Sequence, residues 1–183
     1  MKRISWSILL GVACMAIALQ GRAVGAEPPS ATDFRLIAWK DLVPKGWKPH
    51  DTVDRAAAAG LKDDDEQARQ MMQELRRVLD AAPVVEGLDG VAVRLPGYVV
   101  PLEQGRDGLK EFLLVPYYGA CIHTPPPPAN QIVHVLSPRA VTGFQTMSAV
   151  WVHGTLKASR RDNGIGVSGY ALELARIEPY KRQ

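Results

Sequence analysis

The pattern of apolar and polar residues divides the chain into a helical N-terminal part and a strand-rich C-terminal part. Between residues 64 and 82 apolar residues recur at helical spacing, acidic residues 63–65 supply an N-cap, and Pro83 ends the run. The apolar stripe consists of Ala68, Met71, Met72, Leu75, Val78, Leu79 and Ala82. We therefore predict an amphipathic helix that packs on a core, with its methionines as core filling rather than copper ligands.

From Val91 onward the apolar residues alternate with the period of β-strands. Strands are predicted at residues 91–102, 109–117, 132–136, 147–157 and 168–177. The fold class is therefore α+β, with an N-terminal helical region followed by a small five-stranded antiparallel barrel. The bend at Pro96-Gly97 and the long second-to-third connection are typical of an OB-like barrel, and an SH3-like barrel or sandwich is the alternative.

The connection between the second and third predicted strands has the most distinctive sequence, GACIHTPPPPANQ at residues 119–131. Cys121 and His123 are two positions apart, so in an extended segment their side chains point the same way. The four prolines make the segment stiff, because each holds φ near about −65° and lacks a backbone donor. The predicted binding residues are Tyr118, Gly119, Cys121, His123, Pro125, Pro126, Pro127, Pro128, Asn130 and Gln131.

Three interpretations of this segment stay open at the level of sequence. In the first, Cys121 and His123 bind zinc or copper with His134 as the third ligand. In the second, His123 lowers the pKa of the Cys121 thiol while Asn130 orients the imidazole, as in a thiol enzyme. In the third, the amides of Asn130 and Gln131 bond to backbone groups and the loop is a fold device or a protein-docking surface.

The same motif carries a resemblance to known proteins. The run GACIHTPPPPANQ, with PGYVVPLE before it and WVHGTLKAS after it, resembles a family of bacterial secreted proteins catalogued as a domain of unknown function. The resemblance extends from Trp39 to Tyr180. It implies a companion of an export or metal-transport system, so the implied partner is a membrane transport complex or another periplasmic protein. It implies no ligand set.

The first 26 residues are typical of a secretory signal peptide, with Lys2 and Arg3 at the start, an apolar segment at 4–19, and a small-residue cleavage site at 24–26. We predict a linker at 27–37 and one globular domain at 38–183, made of a clasp and helix at 38–83 and the barrel at 90–178. The predicted protein is periplasmic and, once processed, not an integral membrane protein.

Removal of the signal peptide changes the charge and cysteine arguments. The chain has 22 Lys and Arg against 19 Asp and Glu, and the signal peptide takes away three basic residues and no acidic one. The mature protein is then formally neutral, which argues against nucleic acid as a partner. Cys121 becomes the single cysteine, so neither an internal disulfide nor a Cys-x-x-Cys redox site can form. We interpret the protein as a non-enzymatic binding protein.

Overall fold

The computed structural model describes residues 33–48, 66–105, 107–122 and 126–181. The predicted signal peptide, most of the predicted linker and the acidic residues 63–65 lie outside the described residues. Two predicted site residues, His123 and Pro125, also lie outside them. Within the described ranges, no helix has the length and apolar character needed to cross a membrane.

The described residues form one α-helix, eight strands and short 3-10 turns. The helix α1 is Glu66–Asp80. The strands are β1 Arg35–Leu36, β2 Ala92–Gly105, β3 Gly108–Val115, β4 Val133–Val141, β5 Ala149–Lys157, β6 Arg161–Asp162, β7 Val167–Ser168 and β8 Tyr170–Pro179. The 3-10 turns are Trp39–Leu42, Glu86–Leu88 and Ala129–Gln131.

Five of these strands close into a mixed barrel. The order is β2-β3-β4-β8-β5, and β5 pairs back with β2. Closure depends on the length of β2, whose first half pairs with β5 and whose second half pairs with β3. Gly97 lies at the changeover, where a Cβ atom would be 2.7 Å from the Leu114 side chain. The predicted five-stranded barrel is thus confirmed at this level.

One pairing departs from the predicted antiparallel arrangement. Strands β4 and β8 are parallel, whereas the other four barrel pairings are antiparallel. The reason is that β8 inserts between β4 and β5 and runs antiparallel to β5, which gives it the direction of β4. The small hairpin formed by β6 and β7 lies in the connection that makes this insertion possible.

Alternate residues of the strands fill two apolar clusters. The barrel cluster contains Val93, Leu95, Val99, Phe112, Leu114, Val133, Val135, Val150, Val152, Leu156, Tyr170 and Leu172, all fully buried. The loop cluster lies on the opposite face of β3 and contains Val100, Leu113, Val115, Ala120 and Ile132. The connection between β3 and β4 covers the loop cluster, which places that connection against the barrel rather than away from it.

The helix α1 is present, but the prediction that its apolar stripe, including the methionines, fills the core is wrong. None of its residues is buried, and Met72 of the predicted core stripe is 51% exposed. Ala82, which follows the helix, is the one stripe residue that is fully buried. The helix end is held from outside, because the Arg160 guanidinium donates to the carbonyls of Asp80 and of Ala82, the latter at 2.7 Å.

The N-terminal segment is fastened to the barrel by side chains. The indole Nε1 of Trp39 donates to the Pro96 carbonyl at 2.7 Å. The fully buried Tyr170 hydroxyl donates to the Leu42 carbonyl at 2.8 Å and accepts from the Val85 amide at 2.6 Å. Each bond joins residues distant in sequence, so the barrel fixes the path of the chain before β2.

Candidate functional site

The connection between β3 and β4 begins with a tight turn. The amide of Ala120 donates to the Tyr117 carbonyl, and the amide of Ile122 donates to the Gly119 carbonyl at 3.2 Å. Gly119 has φ 86° and Cys121 has φ 65°, both in the left-handed region. Glycine adopts this conformation freely, whereas a cysteine there is strained because it carries a Cβ atom. The turn therefore holds Cys121 in a conformation that its own backbone does not favour.

The Cys121 side chain is half-buried against the loop cluster. Burial raises the pKa of its thiol from the ordinary 9.0 to about 11, and the positive charge of Arg76 opposes this rise. The thiol is therefore protonated at neutral pH. An activated nucleophile needs the opposite shift, so the thiol-enzyme interpretation has no support from this environment.

Met147 is a site residue that the sequence analysis missed. Its Sδ atom accepts a hydrogen bond from the Gly119 amide at 3.2 Å, and its side chain packs on the loop cluster together with Cys121. Met147 has φ 63°, so it too is held in the left-handed region. It was assigned to the start of a predicted strand, and no local sequence signal connects it with a turn 28 residues earlier.

The end of the connection is anchored by two side-chain amides. The Nδ2 of the fully buried Asn130 donates to the Pro83 carbonyl at 2.9 Å. The Nε2 of Gln131 donates to the Trp39 carbonyl at 2.8 Å. The fold-device interpretation predicted amide bonds to backbone groups, and the carbonyls bonded here belong to the segments before β2. Asn130 is thus bonded to Pro83 through its amide nitrogen, and its buried Oδ1 has no hydrogen-bond partner among the described residues.

His134, which was predicted as a third metal ligand with Cys121, lies on β4 beside a carboxylate. It is 1% exposed on β4, and its Nε2 lies 2.6 Å from Oε1 of Glu111. Burial lowers the pKa of His134, and the Glu111 carboxylate opposes that effect. The positive charge of Arg161 also lowers the pKa of His134.

His153 has a similar environment on β5. It is also 1% exposed, with Nε2 3.0 Å from Oε1 of Glu178, and burial lowers its pKa. Both strand histidines are therefore paired with a carboxylate. Across the described ranges, no three His, Cys, Asp or Glu side chains are grouped so that they could hold a metal ion.

The outer side of the connection is apolar and exposed. Tyr117 is 45% exposed, Tyr118 is 68% exposed and Ile122 is 43% exposed. These are three of the six large apolar side chains that are exposed in the described part of the chain. The ring of Tyr118 meets that of Tyr98 edge to face at 5.9 Å, which supports it from the barrel side. We call Tyr117, Tyr118 and Ile122 the loop patch.

Comparison with solved structures finds a relative that matches over most of its length. A crystal structure of a DUF3299 family protein from Pseudomonas aeruginosa PAO1, at 2.45 Å resolution, is 36% identical with a TM-score of 0.64. The match covers 82% of this chain and 98% of that chain. A Leishmania major Friedlin protein described as an aspartyl-tRNA synthetase is 18% identical over 56% of this chain and 19% of that one, and its TM-score of 0.33 carries no argument.

The family comparison agrees with the structural one, whereas the search of curated proteins does not contribute a relative. No curated protein matches the chain significantly. The family described as "Protein of unknown function (DUF3299)" matches residues 39–179, which include all five barrel strands and the connection between β3 and β4. The chain therefore belongs to the DUF3299 family.

Proposed function

We propose that this protein is an exported, periplasmic, non-enzymatic binding module that docks a partner protein through the loop patch. The single observation that carries the proposal is the concentration of exposed apolar side chains at Tyr117, Tyr118 and Ile122. Contiguous apolar surface on a folded protein marks interaction sites, and tyrosine is enriched at the centres of interfaces.

The connection that carries the loop patch is also anchored by hydrogen bonds at both ends, which favours binding. Gly119 and Met147 fix the beginning of the connection, and Asn130 and Gln131 fix its end. A surface that is ordered before binding loses little conformational entropy when a partner arrives. The raised pKa of Cys121 supports a non-enzymatic role, because its thiolate is scarce at neutral pH.

Two finer features belong to this proposal. The first is that the barrel is of OB type. This is supported by the closed order β2-β3-β4-β8-β5, in which β4 and β8 are parallel. The second is export with a mature chain that starts near Glu27, supported by the signal-like pattern of residues 1–26. The partner is then a periplasmic protein or a membrane transport complex, for which this protein is an accessory.

Site-directed photo-crosslinking tests the docking surface in cells. A benzoylphenylalanine at position 118 or 122 is expected to give a crosslinked adduct of defined mass with one partner. The matched control is the same residue at Lys110, an exposed position on β3 outside the loop patch. Equal adducts at all three positions, or none at positions 118 and 122, would contradict the proposal.

A zinc or copper site at Cys121 is the second candidate. The observation that favours it is a second sulfur, because Met147 packs on the same cluster as Cys121 and is oriented by the Gly119 amide. Soft sulfur ligands with the imidazole of His123 suit cuprous copper or zinc. Elemental analysis of untagged protein is expected to give about one metal per chain, lost in Cys121→Ser and kept in His134→Gln. Metal-free wild type would remove this candidate and leave docking untouched.

A further inference from the structure

A groove next to the loop patch is formed by two adjoining cavities that share Tyr180. The first, of about 510 Å³, is lined by Trp39, Pro96, Gly97, Tyr98, Pro116 and Ala149. The second, of about 840 Å³, is lined by Leu36, Arg94, Trp151, Glu178, Pro179 and Lys181. Together they offer room for several consecutive residues of an extended chain. We call this feature the aromatic groove.

The aromatic side chains of this groove are preformed. The Trp39 indole is fixed by its hydrogen bond to Pro96, and the rings of Trp151 and Tyr180 lie 5.3 Å apart with a tilt of 34°. The Arg94 guanidinium lies 4.0 Å above the centre of the Trp151 ring. Rigid aromatic rings provide large contact areas for little loss of side-chain freedom, which is typical of peptide-binding surfaces.

One end of the groove carries an excess of positive charge. Arg94 and Lys181 line it, and Arg176 lies beside it because its guanidinium bonds to the lining residue Glu178. The single carboxylate there, on Glu178, accepts from Arg176 at 2.9 Å and lies 3.6 Å from Arg94. Three cations therefore face one carboxylate, which leaves two positive charges without a compensating partner among these four residues.

The strand beside the groove offers a backbone edge. β1 pairs with β2 in parallel, and in the part of the chain that the structure describes no second strand pairs with β1. Leu36 of β1 is 64% exposed and forms part of the groove wall. An extended segment that approaches this edge can pair with the backbone while its side chains enter the groove.

We propose that the aromatic groove binds an extended acidic peptide segment of a partner protein. The apolar and aromatic side chains of the peptide fill the space over Trp39, Tyr98 and Tyr180, and its carboxylates pair with Arg94 and Lys181. Charge complementarity selects an acidic segment, because the groove end carries surplus positive charge and Glu178, the one carboxylate among its described lining residues, is already engaged. The groove meets the loop patch where Tyr98 contacts Tyr118, but none of the three loop-patch residues lines it, so the proposal goes beyond docking at that patch.

Fluorescence anisotropy with a defined peptide pair tests this inference. The probe is fluorescein-labelled Gly-Ser-Leu-Pro-Trp-Asp-Glu-Asp-Gly, and its matched control replaces Asp-Glu-Asp with Asn-Gln-Asn. The full chain is expected to bind the acidic probe at least about 10-fold more tightly, with affinity falling as salt is raised. Tyr180→Ala and Lys181→Glu are expected to weaken binding about 10-fold or more, while Lys110→Glu, which changes net charge equally, leaves it unchanged.

The remaining outcomes overturn the proposal in different ways. Equal binding of both peptides assigns the groove to apolar contacts alone, and no binding of the acidic probe removes peptide capture. Tighter binding of a labelled ten-residue oligothymidylate assigns it to single-stranded nucleic acid, for which aromatic stacking and cations are also suited. Concentration-dependent self-association abolished by Tyr180→Ala would show that a second copy of this chain fills it. Unchanged circular dichroism of each variant separates loss of binding from loss of fold.

Discussion

Alkylation of Cys121 provides a direct measure of the environment of the candidate site. The thiolate is the species that reacts with iodoacetamide, so the rate at a given pH follows the thiolate fraction. At pH 8 a thiol of pKa 9.0 is about one tenth ionised, and a thiol of pKa about 11 is about one thousandth ionised. The folded protein is therefore expected to react about 100-fold more slowly than the same chain unfolded in guanidinium chloride.

The experiment uses the full chain with Cys14→Ser, which leaves Cys121 as the only thiol. Intact mass at timed intervals gives the rate constant with and without denaturant. Arg76→Gln is expected to slow the folded-state reaction further, because the Arg76 charge lowers the thiol pKa. Arg77→Gln is the matched control, since it removes the same charge from an exposed position on the same helix.

Two results would refute this reasoning. A folded-state rate equal to the unfolded-state rate would mean that burial does not protect the thiol. A faster rate that persists at pH 5 and disappears in His123→Ala would restore the thiol-enzyme interpretation, because it requires a thiolate stabilised by a neighbouring imidazolium.

Three further outcomes concern stability. Tyr170→Phe is expected to lower the free energy of unfolding by about 2 kcal/mol in urea titrations, because it leaves the buried Leu42 carbonyl and the half-buried Val85 amide without their hydroxyl partner. Gly154→Ala is expected to cost more than about 3 kcal/mol or prevent folding, since a Cβ atom would lie 2.2 Å from a β8 carbonyl oxygen. Burial lowers the pKa values of His134 and His153 in the folded state, so the unfolded chain binds protons first as pH falls below about 6.5. Stability should therefore decrease between pH 7 and pH 5, and a rise over that range would contradict the assignment.

Matched controls exist for the first two substitutions. Tyr118→Phe changes an exposed hydroxyl in the loop patch and should leave the unfolding midpoint unchanged. Gly87→Ala adds a methyl group that meets no atom within 4 Å and should be neutral or slightly stabilising. A loss of stability in these controls equal to that in Tyr170→Phe or Gly154→Ala would contradict the assigned contacts.

Much of the barrel could be predicted because strand alternation is a local property. The residues that fill the barrel cluster recur at every second position within each strand, so the five strands were found from sequence. The parallel pairing of β4 and β8 could not be found this way, because strand order is set by connections and not by alternation. The burial of the α1 side chains was overestimated for a related reason. Periodicity shows which face of a helix turns toward the core, but not what fraction of that face is buried.

The candidate site was only partly predictable. One of the three interpretations had the amides of Asn130 and Gln131 bond to backbone groups, but their partners lie 47 and 92 residues away and could not be identified from sequence. His134 was grouped with Cys121 because both are metal-ligand types near one loop. Its pairing with Glu111 was not predicted. Glu111 lies on the same face of β3 as Leu113, the residue opposite His134, and this register brings carboxylate and imidazole together. That register exists only once the strands have paired.

The Tyr170 hydroxyl also has a consequence for how the chain folds during its synthesis. Its bond to the Leu42 carbonyl spans 128 residues, and Tyr170 is the first residue of the strand that completes the barrel. The ribosome therefore releases the N-terminal segment long before its binding site exists, and the apolar side chains of Ile37 and Leu42 have no core to enter. Such long-range contacts favour folding times on the order of milliseconds to seconds after release. Until that strand is made these apolar side chains stay exposed, and transiently exposed apolar surface is what makes an incomplete chain prone to aggregate.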